Sequence, residues 1–306
     1  MDANEAREQP ANPAAGRDPA AVRPAQDYSA VPVPVGEAPC PTCAGGAAAA
    51  PASYVHALGQ IEARFPRLSV EKEFAQIAGR SETAGKTGQE MFHTVLSKRE
   101  NRYMARQMCW VLTIQGLEAY ILLPRDPGDF ALLVEAIRPA PSPDDIDLVI
   151  GVRGPIAPPE MCNGLMAPLV VFDQIYSFDR PTLIKAIPAP KSVKPDAFRP
   201  AAQEVFDRIM QMTDNAGATD EHRALNYLAV RYPAVYAKTA EQFARDFSLT
   251  GVEVRPSPLS GTRKIIETIF AFTDRKTDFT EKFSVRVDVT EEFPFLVTKL
   301  SPYYDR

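Results

Sequence analysis

Long apolar runs are missing from this chain. No stretch approaches the roughly 18 consecutive apolar residues of a membrane-spanning helix, which argues against one. Basic excess is missing as well. Thirty-four Lys and Arg face 39 Asp and Glu, giving a net charge of −5 and a pI near 5.4. A general binder of nucleic acid or of anionic membrane needs a basic surface, so neither class fits. The first residues, Met1-Asp2-Ala3-Asn4-Glu5, show no basic segment followed by an apolar one. No secretory signal is therefore expected, and a cytoplasmic location is the default. Histidine is scarce, with only His56, His93 and His222. Cysteine is scarce too, at four residues: Cys40, Cys43, Cys109 and Cys162.

What is present is an ordinary globular balance, 45% hydrophobic and 24% charged, over 306 residues. That length suits one large or two modest domains with ample core. Residues 1–51 stand apart. Ala and Pro dominate them, with Pro32, Pro34, Pro39 and Pro41 closely spaced before a Gly45-Gly46-Ala47-Ala48-Ala49-Ala50 run. Too few large apolar groups occur there to offset the entropy of ordering, so a disordered tail is expected.

Beyond the tail, residues 54–65 fit strand or helix equally well. A short helix is expected over 70–78, with Val70, Phe74 and Ile77 on one side. A long helix follows, Thr87 its candidate N-cap and Met91, Phe92, Val95, Leu96 and Tyr103 at helical spacing. Two apolar runs, 109–114 and 117–123, flank Gln115-Gly116, which suits a tight hairpin. Residues 129–137 read as a helix, 146–152 and 169–178 as buried strands, and 181–187 as a short helix. Pro188, Pro190, Pro195 and Pro200 give 188–200 a linker composition. Helices are expected over 201–212, 220–232 and 234–247, the last opened by Pro233. The chain ends in strands: Phe283, Val285, Val287 and Val289 alternate with Ser284, Arg286 and Asp288, with 265–272 and 295–300 as neighbours. Elements of each kind are grouped rather than strictly alternating. The expected class is therefore α+β, mixed sheets with grouped helices in two structurally coupled halves, 52–187 and 201–306.

The cysteines carry the strongest chemical signal. Cys40-Pro-Thr-Cys43 has the C-x-x-C spacing of half a zinc site, and Cys109 and Cys162 lie in apolar stretches. Three readings stay open. All four thiolates could hold one structural Zn2+, fastening the tail to the domain. Cys109 and Cys162 could instead be small buried hydrophobes. Or Cys40-Pro-Thr-Cys43 could be a thioredoxin-like redox pair, although it ends a Pro-rich tail rather than opening a helix after a strand.

Several long strings look familiar together. They are Glu71-Lys72-Glu73-Phe74-Ala75-Gln76; Gly151-Val152-Arg153-Gly154-Pro155-Ile156-Ala157-Pro158-Pro159-Glu160-Met161-Cys162-Asn163-Gly164; and Ala229-Val230-Arg231-Tyr232-Pro233. To these add Gly251-Val252-Glu253-Val254-Arg255-Pro256-Ser257-Pro258-Leu259-Ser260-Gly261-Thr262-Arg263-Lys264 and the closing stretch 285–304. Over residues 52–306 the chain resembles the C-terminal domain of unknown function of PatG, the cyanobactin maturation protease and macrocyclase. A related domain ends its partner protease PatA. The resemblance implies an α+β fold and a link to ribosomally made, modified peptides. It implies no protease here. None of the three histidines sits in His-Gly-Thr, and no Gly-Thr-Ser-x-Ala follows, so a subtilisin-like triad is not expected.

Other candidates are polar. Lys98, Arg99, Arg102 and Arg106 would give one helix a basic edge able to dock an acidic leader peptide, or simply a solvated face with snorkelling stems. Residues 151–164 join two expected strands through three prolines and three glycines and carry Arg153, Glu160 and Asn163. They read as a peptide-binding loop or a rigid connector anchoring Cys162. Asp144, Asp145 and Asp147 could hold a hard cation, but their Pro141-Ser142-Pro143 context favours a solvated turn. Gly261-Thr262-Arg263-Lys264 lacks phosphate-loop spacing. The expectation is a non-catalytic accessory or binding module with a structural zinc, its partner a precursor peptide or a protease. The alternative is a thiol-dependent redox or peptide-modifying enzyme.

Overall fold

The computed structural model describes residues 52–79, 88–190, 193, 195–212 and 214–304. Cys40, Cys43, Thr87 and the expected tail fall outside the described residues. Residues 50–306 form one compact unit.

Its first half is a closed five-stranded barrel, strand order β1-β2-β3-β5-β4. The strands are β1 (Tyr54–Arg64), β2 (Cys109–Ile114), β3 (Leu117–Pro124), β4 (Asp145–Ile156) and β5 (Pro168–Asp179). All pairs are antiparallel except β3 with β5, which run parallel. The segment that fitted strand or helix equally is thus a strand. Its alternate residues Val55, Ala57, Ile61 and Ala63 join Trp110, Leu112, Tyr120, Leu122, Val149, Val170 and Phe172 in one core. Period-two alternation on every strand is what lets a closed sheet fill its interior. The β2–β3 hairpin turns on Gln115 and Gly116, both at positive φ (53° and 80°), the two-residue geometry that matches strand twist.

Helices α1 (Leu68–Ala78), α2 (Gly88–Leu96) and α3 (Arg102–Ala105) lie between β1 and β2, and α4 (Phe130–Ala136) between β3 and β4. They extend the barrel core with Val70, Phe74, Phe92, Val95, Met104 and Leu133. Phe65, Phe74 and Phe92 form a three-ring cluster with centroids 5.0 to 5.2 Å apart. The long helix expected beyond residue 87 does not persist. Asn101 is buried, and its side-chain amide donates to the Val95 carbonyl (2.9 Å), satisfying an orphan acceptor at the end of α2. The chain then takes one 3-10 turn, Arg99–Asn101, before α3.

The second half packs on the other face of the barrel. Leu58, Leu148 and Ile150 meet α6 (Pro195–Met210), α7 (Asp220–Arg231) and α8 (Pro233–Ala244), after the short α5 (Arg180–Ala186). The antiparallel sheet β6 (Phe247–Pro256), β7 (Ile265–Asp274), β8 (Thr280–Asp288) and β9 (Phe295–Tyr303) adds Ile266, Phe270, Phe272, Val285 and Val287 to the same core. The fold is α+β, as expected. One further local expectation fails, and one strand was not foreseen. The linker composition of 188–200 gives way to helix at Pro195, and Pro200 sits inside α6 at the loss of one backbone donor. Strand β6 falls on residues with no clean alternation, and its pairing with β7 shifts register between Leu249 and Gly251.

Candidate functional site

Cys109 opens β2 opposite Arg64 of β1, and Cys162 lies in the 157–167 loop between β4 and β5. That loop is closed at its base by the Ala157 N–H donating to the Ala167 carbonyl (2.9 Å). Within it the Gly164 N–H donates to Pro159 (2.7 Å), and Asn163 and Gly164 both take positive φ (49° and 89°). The turn aims Cys162 at β2. The two cysteines, 53 residues apart, form a disulfide with Cα atoms 5.5 Å apart. They are buried among Val111, Ile121, Ala157, Ala167 and Leu169, a satellite core beneath the loop. A sulfur bonded to sulfur offers no thiolate. The pairing therefore excludes a four-thiolate zinc for as long as the bond is intact. The separation also suits two ligands of one tetrahedral metal, whose sulfurs stand about 3.8 Å apart at a Zn–S length of about 2.3 Å. Both side chains are buried, as the hydrophobe reading expects, but they are bonded to each other rather than packed as free thiols.

Beside the disulfide a cleft of about 510 Å³ opens, lined by Arg64, Glu71, Phe92, Glu118, Cys162 and Asn163. Arg64 crosses it, donating to Glu118 (2.8 Å) and Glu62 (2.9 Å). Its hydrogen bond and charge hold the Glu118 carboxyl below the usual range. Of the sequence candidates the cleft takes Cys162 and Asn163. Arg153 and Glu160 are exposed nearby in sequence, Arg153 on β4 with its N–H donating to the Ser53 carbonyl (2.7 Å), but neither lines it. Arg99, Arg102 and Arg106 are exposed on the 3-10 turn, α3 and its C-cap, and among the described residues none has an ion-pair partner.

The acidic triplet is structural. Asp144 pairs with Arg180 (2.9 Å), and Asp145 accepts from the Ser142 N–H (2.7 Å). Asp147 accepts from Ile61 N–H (2.9 Å) and the Ser177 hydroxyl (2.6 Å). Burial nevertheless pushes the Asp147 carboxyl up to about 6. Among the described residues no group of three or more His, Cys, Asp and Glu is placed to hold a metal ion.

One polar cluster escapes sequence reading. Arg223 of α7 is 1% exposed, and its guanidinium donates to the Val289 carbonyl (2.7 Å) and to those of Glu291 and Glu292. It also lies over the Tyr54 ring, 5.2 Å from the centroid. Asn226, one turn on, donates to the His56 carbonyl (2.8 Å) and exchanges amide hydrogen bonds with Asn215. Gly217, at φ 69°, accepts from the His56 N–H (2.9 Å). A Cβ there would stand 2.5 Å from the His56 oxygen, so glycine is required. Burial, then the charges of Arg223 and Arg231, lowers His56 to about 3, so its ring is neutral. In the sequence Arg223 sits among other polar residues at the start of α7, Asp220, Glu221 and His222, and nothing there marks it as buried.

The architecture is that of an α+β domain in which a small closed barrel backs onto a helix-covered antiparallel sheet. By sequence, residues 192–303 match the family model described as PatG C-terminal. By structure, the chain is similar to a solved domain described as "PatG Domain of Unknown Function", at TM-score 0.67 and 19% identity, over 82% of this chain and 98% of that one. No curated protein matches the chain. The resemblance read from residues 52–306 is thus shown in sequence over the C-terminal part and in fold over most of the length. No helix among the described residues is long and apolar enough to cross a membrane.

Proposed function

We propose that this chain is a non-catalytic accessory module that binds a peptide or protein partner in a pathway for ribosomally made, cyanobactin-like modified peptides. The observation that carries the binding role is the Pro-rich loop that anchors Cys162 against β2 and opens the cleft of about 510 Å³ beside it. A preset loop over a rigid barrel costs little to order on binding. Arg99, Arg102 and Arg106, exposed and without an ion-pair partner among the described residues, suit an acidic segment of a precursor peptide, or of a partner protease. The pathway itself comes from the likeness to the PatG domain.

In reducing surroundings the same chain would hold a structural zinc through Cys40, Cys43, Cys109 and Cys162. Supporting this, the fold brings two thiols 53 residues apart to a Cα separation of 5.5 Å. A bound zinc would supply a crosslink between segments and no chemistry. The disulfide is the one observation that favours a thiol-redox enzyme instead. Rapid alkylation of a single low-pKa thiol would support that reading.

The binding role is tested by anisotropy with a fluorescent acidic peptide against Arg99→Glu/Arg102→Glu/Arg106→Glu and Asn163→Ala. About tenfold weaker binding by the triple variant, relieved by salt, is expected. Equal binding by wild type and triple variant would remove the arginines from the site.

A further inference from the structure

The loop that carries Cys162 has one strong tie to the barrel beyond its own two ends. Strands β4 and β5 fix those ends, with Ile156 paired to Pro168 and the Ala157 N–H on the Ala167 carbonyl (2.9 Å). Between them the loop is bonded to itself. The Met161 N–H donates to Pro158 (3.0 Å), that of Gly164 to Pro159 (2.7 Å) and that of Leu165 to Cys162 (3.0 Å). Among the described residues no hydrogen bond or ion pair runs from 158–166 to anything outside the loop. Cys162 is the one buried residue in that span, with Met161 and Leu165 half-buried against the same satellite core. A compact surface loop with adjoining ends can swing as a unit, and the disulfide to Cys109 is its fastener. We propose that the Cys109–Cys162 bond is a site of thiol–disulfide exchange for a dithiol reductant, and that its reduction releases 158–166 as a flap and removes one wall of the cleft. This rests on the reading of that cleft as the partner site and adds its regulation.

The cleft gives the bond a direction of attack. Cys162 lines it with Asn163 and Leu165, and Arg64, Phe92 and Glu118 line it from the barrel side, whereas Cys109 does not line it. A thiolate arriving through the cleft attacks the Cys162 Sγ. The S–S bond breaks, and the Cys109 sulfur leaves as a thiolate and takes up a proton. The second thiol of the reductant then displaces Cys162 from the mixed disulfide. The dithiol ends as a disulfide and both cysteines as thiols, so electrons and protons balance. With the bond cut, the burial of one small side chain and parts of two others is all that opposes the entropy of the freed span. Arg64 keeps its ties to Glu62 and Glu118, so the barrel side of the cleft stays in place while the flap leaves.

Hydrogen exchange by mass spectrometry tests the flap on the full chain, comparing oxidised protein with protein held in dithiothreitol and a metal chelator. Peptides covering 161–166 should exchange at least about tenfold faster after reduction, while those covering 146–152 of β4 stay protected on the same timescale. Unchanged protection of 161–166, or a loss shared equally by β4, overturns the flap. Cys162→Ala should show the fast exchange without reductant; should it fail to fold, the wild-type comparison decides alone. A brief pulse of 2-mercaptoethanol quenched with N-ethylmaleimide reads the direction of attack. The mercaptoethanol adduct on Cys162 and the maleimide on Cys109 are expected, and the reverse assignment overturns entry through the cleft. Neither readout contains a peptide, so both can fail while the binding reading stands, and failure of that reading would leave both as expected.

Discussion

Reducing the Cys109–Cys162 bond should cost this domain a large share of its stability, and the size follows from where the two residues fall. They close a loop of 53 residues. In the chain-entropy account, constraining a loop of that size removes about 14 cal/mol/K from the unfolded ensemble, or about 4 kcal/mol at 25 °C. Other terms are smaller. Both side chains are little larger than Ala, so Cys109→Ala/Cys162→Ala leaves at most a minor void in the satellite core. For a chain of this size each kcal/mol moves the midpoint by about 2–4 °C, so a fall of roughly 8–16 °C is expected. The assay is thermal unfolding followed by circular dichroism, comparing oxidised wild type, wild type with reductant and chelator, and the double variant. Both perturbations should give the same midpoint. Reduced wild type supplied with Zn2+ should regain stability if the four thiols close on a metal, whereas the double variant should not. Four free thiols in denatured, unreduced protein, or an oxidised wild type that melts at the same temperature as the reduced one, would refute the pairing.

Two further substitutions probe the seam between the halves. Gly217→Ala should destabilise by about 2–4 kcal/mol, since its φ is 69° and the new methyl meets the His56 backbone. Urea unfolding reads this directly, and a loss under 0.5 kcal/mol would mean that segment relaxes freely. Arg223→Met should cost about 3–5 kcal/mol by leaving three carbonyls without their donor. A neutral outcome would show that water replaces the guanidinium.

Local features of the fold were readable wherever one residue's chemistry decides the geometry. Gln115-Gly116 gave the hairpin because Gly116 takes positive φ at no steric cost, even though Gln115 beside it, also at positive φ, does not. Pro233 marked the start of α8 because a first-turn proline forfeits no helical donor. What stayed hidden depends on distant partners. The break after α2 rests on Asn101 reaching back to Val95, and nothing in the apolar spacing of Phe92, Val95 and Leu96 announces it. Strand β6 mixes Thr250, Glu253 and Arg255 with a register shift, erasing the period of two. Barrel closure rests on β1 pairing with β4 and on the parallel β3–β5 pair, contacts between residues far apart in sequence. The site divides in the same way. The cysteines and Asn163 were visible as residue types, but the pairing of Cys109 with Cys162 was not. Arg223 carries no motif, because its role comes from the burial and neighbours that the finished fold supplies.

Closing the barrel has a consequence for self-association. A barrel without free margins offers no unpaired strand to a neighbour, so among the described residues the outer strands of the C-terminal sheet, β6 and β9, are the ones left to template growth. Strand β9 is the more apolar of the two on its outward side, with Phe295 and Val297 exposed. It is also guarded. Pro302 offers no N–H, Lys299 places a charge on the strand, and the Leu300 N–H is already spent on the Tyr232 hydroxyl (2.8 Å). The guard on this edge rests on a few residues near the end of β9, and Lys299→Val with Pro302→Val should expose it to edge-to-edge pairing, read as faster fibril growth by thioflavin fluorescence.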